Sequence, residues 1–248
     1  MGLYGEDPVL APNFGYPQST SKSTFESVLD RLIDYLKRTH QNMVIYPVVW
    51  YNAALYRDSV EYSPIKYIRA MQTRFHPPRF HRMMARRFSQ EGVDFLPMIR
   101  NWRLPSIEPW VKNPKEILSG VASEYINTVT ATGEVLTPSN HHEPPMLNCI
   151  HPRVKRAFKV LLAEIMDQIG QEPSVKGIAL FTTIHSSYGF GTLDVSYDDY
   201  TMHLFSKETG INLPIPDGPV QDRFKKWYKW LRSKWWNRWI AWRKEKQT

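Results

Sequence analysis

Three short segments place aromatic rings beside amide, guanidinium or imidazole groups. Trp50-Tyr51-Asn52 follows one apolar run, with Tyr56 beyond it. Arg100-Asn101-Trp102 follows a second, and Thr182-Thr183, with His185 and Tyr188 beyond, follows a third. A saccharide presents an apolar face of C–H groups and a rim of hydroxyls, so a site for one needs aromatic platforms with donors and acceptors close by. The three segments supply that mixture, and Trp50, Tyr51, Asn52, Arg100, Asn101, Trp102 and His185 are the candidate substrate-binding residues. Strand ends are polar in any fold because they meet water, yet Asn and Arg beside Trp at two separate ends exceed what solvation requires.

Other motifs point to less. His141-His142-Glu143 invites a metal reading, but adjacent histidines do not share a face as ligands four apart on a helix do, so a solvated loop is expected and no metal. Gly189-Phe190-Gly191 is too short for a phosphate-binding fingerprint, and Asp198-Asp199 reads as charge at a helix start rather than a calcium loop. Cys149, the single cysteine, rules out an internal disulfide and reads as a small apolar residue rather than a nucleophile. No cofactor is expected.

The elements that must carry these groups follow from periodicity. Ser23-Thr24-Phe25-Glu26 has capping-box spacing, and Phe25, Val28, Leu29, Leu32, Ile33 and Leu36 recur at helical spacing to about Arg38. The run 43–50 suits a strand covered on both faces, with Pro47 an irregularity because it cannot donate to a ladder. A helix is expected over 77–92, closed by Gly92, then a strand over 93–99. Residues 100–149 are broken by prolines. His151-Pro152 opens a helix that Gly170 closes, 175–181 is a strand, Ser196 caps a helix ending at Gly210, and a long helix fills the remainder. With one further strand near the N-terminus, this alternation of strands and helices implies an α/β fold with a parallel sheet.

The net charge of +8 is local. Residues 223–246 hold ten Lys or Arg against Glu245, a charge of +9, so the rest of the chain sums to −1. At 100° per residue Phe224, Trp227, Tyr228, Leu231, Trp235, Trp239 and Trp242 form one apolar stripe, which reads as a helix packed inward. The sharper reading of the same composition is a helix that lies on anionic lipid or nucleic acid. No run approaches the roughly 18 apolar residues of a transmembrane segment, and MGLYGEDPVL lacks the order of a signal peptide, so nothing visible directs export.

Three stretches, 42–56, 146–165 and 175–181 followed by 196–214, resemble glycoside-hydrolase-type (β/α)8 barrels, relatives of the family 10 and family 42 enzymes. The residues that carry the likeness are Asn148, His151, Pro152, Gly177, Ile178, Tyr197, Asp199, Tyr200, Thr209, Gly210 and Ile211, then Arg238, Trp239, Trp242 and Arg243. The resemblance implies a parallel (β/α) barrel of TIM type, with residues 1–248 forming a single barrel domain, complete or cut short at its C-terminal end. Three firm strands against the eight of a closed barrel favour an N-terminal part. It also implies an oligo- or polysaccharide substrate cleaved by two carboxyl groups, one acid and one nucleophile or base. Such barrels carry the acid as Asn-Glu after the fourth strand. Here Phe181 runs into Thr182-Thr183-Ile184-His185 without an acid, which leaves Asp194, Glu143 and Glu108 as the candidate catalytic carboxylates. Three alternatives stay open: a non-catalytic carbohydrate-binding or structural fragment, a basic surface binder acting through 223–246, and self-association or a missing half that completes the sheet. Nucleic acid is the less expected partner.

Overall fold

A computed structural model describes residues 2–4, 10–51, 53–56, 59, 76–101, 104–136, 146–181, 193–215 and 217–247. They fall into two compact units: Met1–Pro105 with Phe158–Thr183, and Ser106–Ala157 with Ile184–Thr248.

The first unit is an open α/β sheet. In chain order it contains β1 (Gly2–Tyr4), α1 (Leu10–Asn13), α2 (Lys22–Arg38), β2 (Met43–Tyr51), β3 (Ala53–Ala54), α3 (Phe80–Glu91), β4 (Asp94–Asn101), and then β5 (Ala179–Leu180). The strands run β1-β2-β4-β5, all parallel, while β3 turns back antiparallel on the end of β2 through Val49 with Ala54 and Trp50 with Ala53. The middle strands β2 and β4 are apolar because both their faces are out of water: Val44, Val48, Val49, Phe95, Met98 and Ile99 are buried. The helix α3 packs on β4, with Phe88 edge-on to Phe95 at 5.6 Å, and on α2, and Leu32 and Leu36 of α2 and Met84 and Phe88 of α3 are all fully buried. Pro47 leaves its mark, since the β2–β4 register slips between Pro47 and Val49 where the missing N–H interrupts the ladder.

This sheet overturns the barrel. The expected parallel (β/α) barrel of TIM type, whole or N-terminal part, needs strands that continue in one direction around a ring. The described strands instead form an open row of four with an antiparallel hairpin on β2, and the second unit is dominated by helices. Alternation of strand and helix predicts neighbouring parallel strands correctly, but it cannot distinguish an open sheet from the start of a closed one. The capping expectation at Ser23 shifts as well: Ser21 accepts the Thr24 N–H at 3.4 Å, and α2 begins at Lys22.

The second unit contains a 3₁₀ turn ending at Trp110, α4 (Pro114–Leu118), the first turns of α5 (Pro152–Ile169), α6 (Asp199–Thr209), α7 (Val220–Trp230) and α8 (Trp236–Gln247). Isolated bridges such as Val129 with Val135 and Thr130 with Val195 tie its loops together. Its core is Tyr197, Met202, Phe205, Phe224, Trp227, Leu231, Trp239 and Trp242, with Trp239 stacked on Trp242 at 5.3 Å and edge-on to Phe205 at 5.2 Å.

The terminal helix is therefore packed inward by most of its stripe, with one correction. A π-helical segment, Leu231–Trp235, separates α7 from α8. Across this wider turn the inward face shifts along the chain: Trp235, its last residue, stands 39% exposed, while downstream Arg243, 4% exposed, turns inward and donates to the Val195 carbonyl at 2.9 Å. With Phe224, Trp227, Leu231, Trp239 and Trp242 in the core, that apolar face is not free to enter a lipid interface. Among the described residues no helix is long and apolar enough to cross a membrane.

Truncating Trp239 to Ala should lower stability by roughly 3–5 kcal/mol, against less than about 1 kcal/mol for Trp235→Ala. Urea unfolding followed by tryptophan fluorescence checks this, since the second unit holds seven of the nine tryptophans.

Candidate functional site

The chain approaching α5 and the start of α6 are joined by one buried polar cluster. Asp198 caps α6: its carboxylate accepts the Thr201 N–H at 3.0 Å and the Thr201 hydroxyl at 2.9 Å. Asn148 donates from Nδ2 to Asp198 Oδ1 at 2.7 Å and to Thr201 Oγ1 at 2.8 Å, while its own Oδ1 accepts the Ile150 N–H at 3.1 Å. All three side chains are buried. The expected cap at Ser196 is thus displaced two residues, to the side chain that reaches the free N–H of the first turn. Burial pushes the Asp198 carboxyl up to about 6, against the hydrogen bonds from Thr201 that oppose the shift.

This cluster sets His151 and Tyr200 together, their rings 4.5 Å apart, on the wall of a cleft of about 860 Å³. The cleft lies wholly within the second unit. Trp110, Tyr125 and Tyr200 supply aromatic surface, Arg153 and Arg156 project from the first turns of α5, and His203 and Arg223 come from α6 and α7. Its volume falls in the roughly 300–1,000 Å³ range of small-molecule sites.

The polar groups of the walls are ordered by one another. Tyr125 donates its hydroxyl to Asp199 Oδ2 at 2.8 Å, and Arg223 Nη2 lies 2.7 Å from Oδ2 and 2.6 Å from Oδ1 of the same carboxylate. Burial, and next the Asp199 charge, hold the Tyr125 phenol far above its ordinary range. His151 Nδ1 accepts the Arg153 N–H at 3.2 Å, so the hydrogen of the neutral ring sits on Nε2. Burial, and next the Arg153 charge, pull the His151 pKa down, which favours that neutral donor form. The Arg153 guanidinium lies 4.2 Å over the Trp110 ring, and its Nη2 is 3.4 Å from Glu124. Both acids in the walls, Glu124 and Asp199, thus face guanidinium groups. Such an arrangement suits holding a polar ligand against aromatic rings.

The residues expected from the sequence are placed otherwise. In the first unit Trp50 pairs with Arg100 and Tyr51 with Asn101 across β2 and β4, so two of the three strand ends do converge. Arg100 and Asn101 are nevertheless buried, with the Arg100 guanidinium 4.7 Å over the Phe181 ring. Asn52, Trp102, His185 and Glu143 lie outside the described residues, as does His141-His142. Asp194 and Glu108 belong to the second unit and do not line its cleft. The Asp194 carbonyl accepts the Ala131 N–H at 2.7 Å, and the Glu108 carbonyl accepts that of Val111 at 3.0 Å. Cys149 is half-buried, its thiol 3.7 Å from the Leu147 carbonyl. Among the described residues no three His, Cys, Asp or Glu side chains cluster as metal ligands would.

Of the cleft residues, His151, Pro152, Asp199 and Tyr200 carried the sequence resemblance, whereas Trp110, Tyr125, Arg153, Arg156, His203 and Arg223 did not. The signal that could have found them was Arg153 and Arg156, three apart and hence on one face, directly after His151-Pro152. Compared with family models, curated proteins and solved structures, the chain matches none of them.

Stability should report the cluster that builds this wall. Between about pH 4 and 6 folded Asp198 keeps a proton that the unfolded chain releases, so its contribution falls as pH rises through that window, by roughly 3 kcal/mol in all. Asp198→Asn should remove this slope from the difference between wild type and variant in urea unfolding at stepped pH. Asp198→Ala, which leaves Asn148 Nδ2 and the Thr201 N–H without their acceptor, should cost about 3 kcal/mol at pH 5.

Proposed function

We propose that this protein binds a saccharide, in the cleft of its second unit. The observation that carries the reading is the composition of that wall. Trp110 and Tyr200 line it and are partly exposed, and polar groups held by the Asn148–Asp198–Thr201 and Tyr125–Asp199–Arg223 networks surround them. Rings cover the C–H face of a pyranose, while a neutral His151 Nε2–H, the Ser123 hydroxyl and the guanidinium groups answer its hydroxyls. Bonds within the walls fix His151 through Nδ1 and Arg223 through Asp199 beforehand, so part of the ordering precedes binding.

The reading moves the carbohydrate expectation from the strand ends of the first unit to a cleft partly made of the same resembling segments. Binding is the part of that expectation the walls favour. Hydrolysis by Asp194, Glu143 and Glu108 draws no support from the cleft, because the first and last do not line it and Glu143 is outside the described residues.

Titration of the full chain with a panel of neutral and charged oligosaccharides, read by calorimetry, tests the proposal. At least one class should bind, and Trp110→Ala should weaken it by about tenfold, the loss of one stacked ring. Absence of binding across the panel, or binding indifferent to both Trp110→Ala and His151→Ala, would overturn it.

A further inference from the structure

We infer that the saccharide taken by this cleft is an acidic one, carrying carboxylate groups on its rings as a uronate chain does. The inference rests on the proposed saccharide reading and goes beyond it in naming the charge of the ligand.

The carrying observation is an imbalance in the cleft walls. Three guanidinium groups, Arg153, Arg156 and Arg223, face two carboxylates, Glu124 and Asp199. Asp199 is committed to Arg223 and Tyr125, both within hydrogen-bonding distance. Glu124 is only loosely engaged: its contact with Arg153 is 3.4 Å long between side chains that are 72% and 42% exposed, a geometry that contributes little. Arg156, exposed at the rim, has no hydrogen bond or ion pair among the described residues, and Arg223 Nε is buried without an acceptor, as Asp199 Oδ1 beside it is buried without a hydrogen-bond donor. Guanidinium groups present flat forks that match a carboxylate through two parallel hydrogen bonds. The wall therefore carries one guanidinium more than it has carboxylates, and the unpartnered one, Arg156, stands at the open rim.

Two further features bias the cleft the same way. His151 cannot accept through Nδ1, which takes the Arg153 N–H, so toward a ligand the neutral ring is a donor. The wall that Arg223 provides is also the beginning of the segment 223–246 with its charge of +9, which raises the potential felt by an approaching anion. Rings for the C–H faces and unmatched guanidinium groups together describe a sugar acid better than a neutral sugar or a bare inorganic anion. A neutral sugar would leave Arg156 without a charged partner, and a bare anion would make no use of the aromatic surface that Trp110, Tyr125 and Tyr200 add to the cleft.

The deciding comparison is a linear uronate trisaccharide against the same trisaccharide with every carboxylate reduced to a hydroxymethyl group. Both are titrated into the full chain at low salt, with inorganic phosphate as a third ligand. The acidic sugar should bind about tenfold or more tightly than its reduced form, a preference that shrinks as salt is raised. Arg156→Gln should cut the ratio of the two affinities several-fold, and Arg156→Lys should restore part of it; circular dichroism checks that both variants fold. Equal affinity for the two trisaccharides would overturn the acidic inference and leave the saccharide reading standing. Binding of neither would overturn both. Phosphate binding as tightly as the uronate would show that charge alone is recognised, and would overturn the assignment to a sugar acid.

Discussion

The second unit turns on a carboxylate held out of water. Asp198 caps α6 with no solvent to share the charge, and its stand-ins are the Thr201 N–H, the Thr201 hydroxyl and the Asn148 amide. A buried acid without such partners would be intolerable, so wherever α6 begins, the chain at Asn148 must come to it. That requirement positions the start of α5 beside the start of α6. His151, Arg153 and Arg156 are consequently placed opposite Tyr200 and Asp199, and the cleft is the space this arrangement encloses.

Apolar and polar contacts accordingly divide the labour. Tyr197, Phe205, Trp239 and Trp242 supply bulk and hold α6 against α8 by ring packing, which tolerates small adjustments. The hydrogen bonds around Asp198 and Asp199 supply direction, because they fail when their geometry drifts by a few tenths of an ångström. The aromatic richness of the C-terminal segment thus serves the core, and the basic residues between the aromatics face outward or, like Arg243, find a backbone carbonyl. The π-helical turn is what permits both, since it lets Trp235 leave the stripe without displacing Trp239 or Trp242.

Much of the secondary structure was legible in the sequence. Apolar periodicity located α2, α3 and α5 within a few residues, capping and terminating residues located α6, and the apolar runs marked β2 and β4. The caps were less legible: Ser21 rather than Ser23 and Asp198 rather than Ser196 reach the free N–H groups, a matter of side-chain reach that spacing does not encode. The barrel failed for a related reason. Local patterns identify parallel neighbours, but closure depends on how many strands follow and on which edge, and β3 turns back instead. At the strand ends, Trp50 is in register with Arg100 and Tyr51 with Asn101, and Arg100 lies buried against Phe181. Residue type alone cannot say whether such a group faces a ligand or the core.

What the sequence by itself determined is therefore local: the amphipathic helices, the buried strands, the confinement of positive charge to 223–246 and the inward stripe of that segment. Each follows from the periodicity of side chains along a backbone whose geometry is fixed in advance. Tertiary structure alone decided the open sheet, the π turn and the site. Trp110, Tyr125, Arg153, Arg156, Asp199 and Arg223 are separated by up to 113 positions in the chain, between Trp110 and Arg223, and share a wall because the Asp198 and Asp199 hydrogen bonds and the aromatic core bring their elements together. Long-range pairing of that kind is selected by the cost of an unmatched polar group in the folded chain, a quantity that exists only once the elements have met.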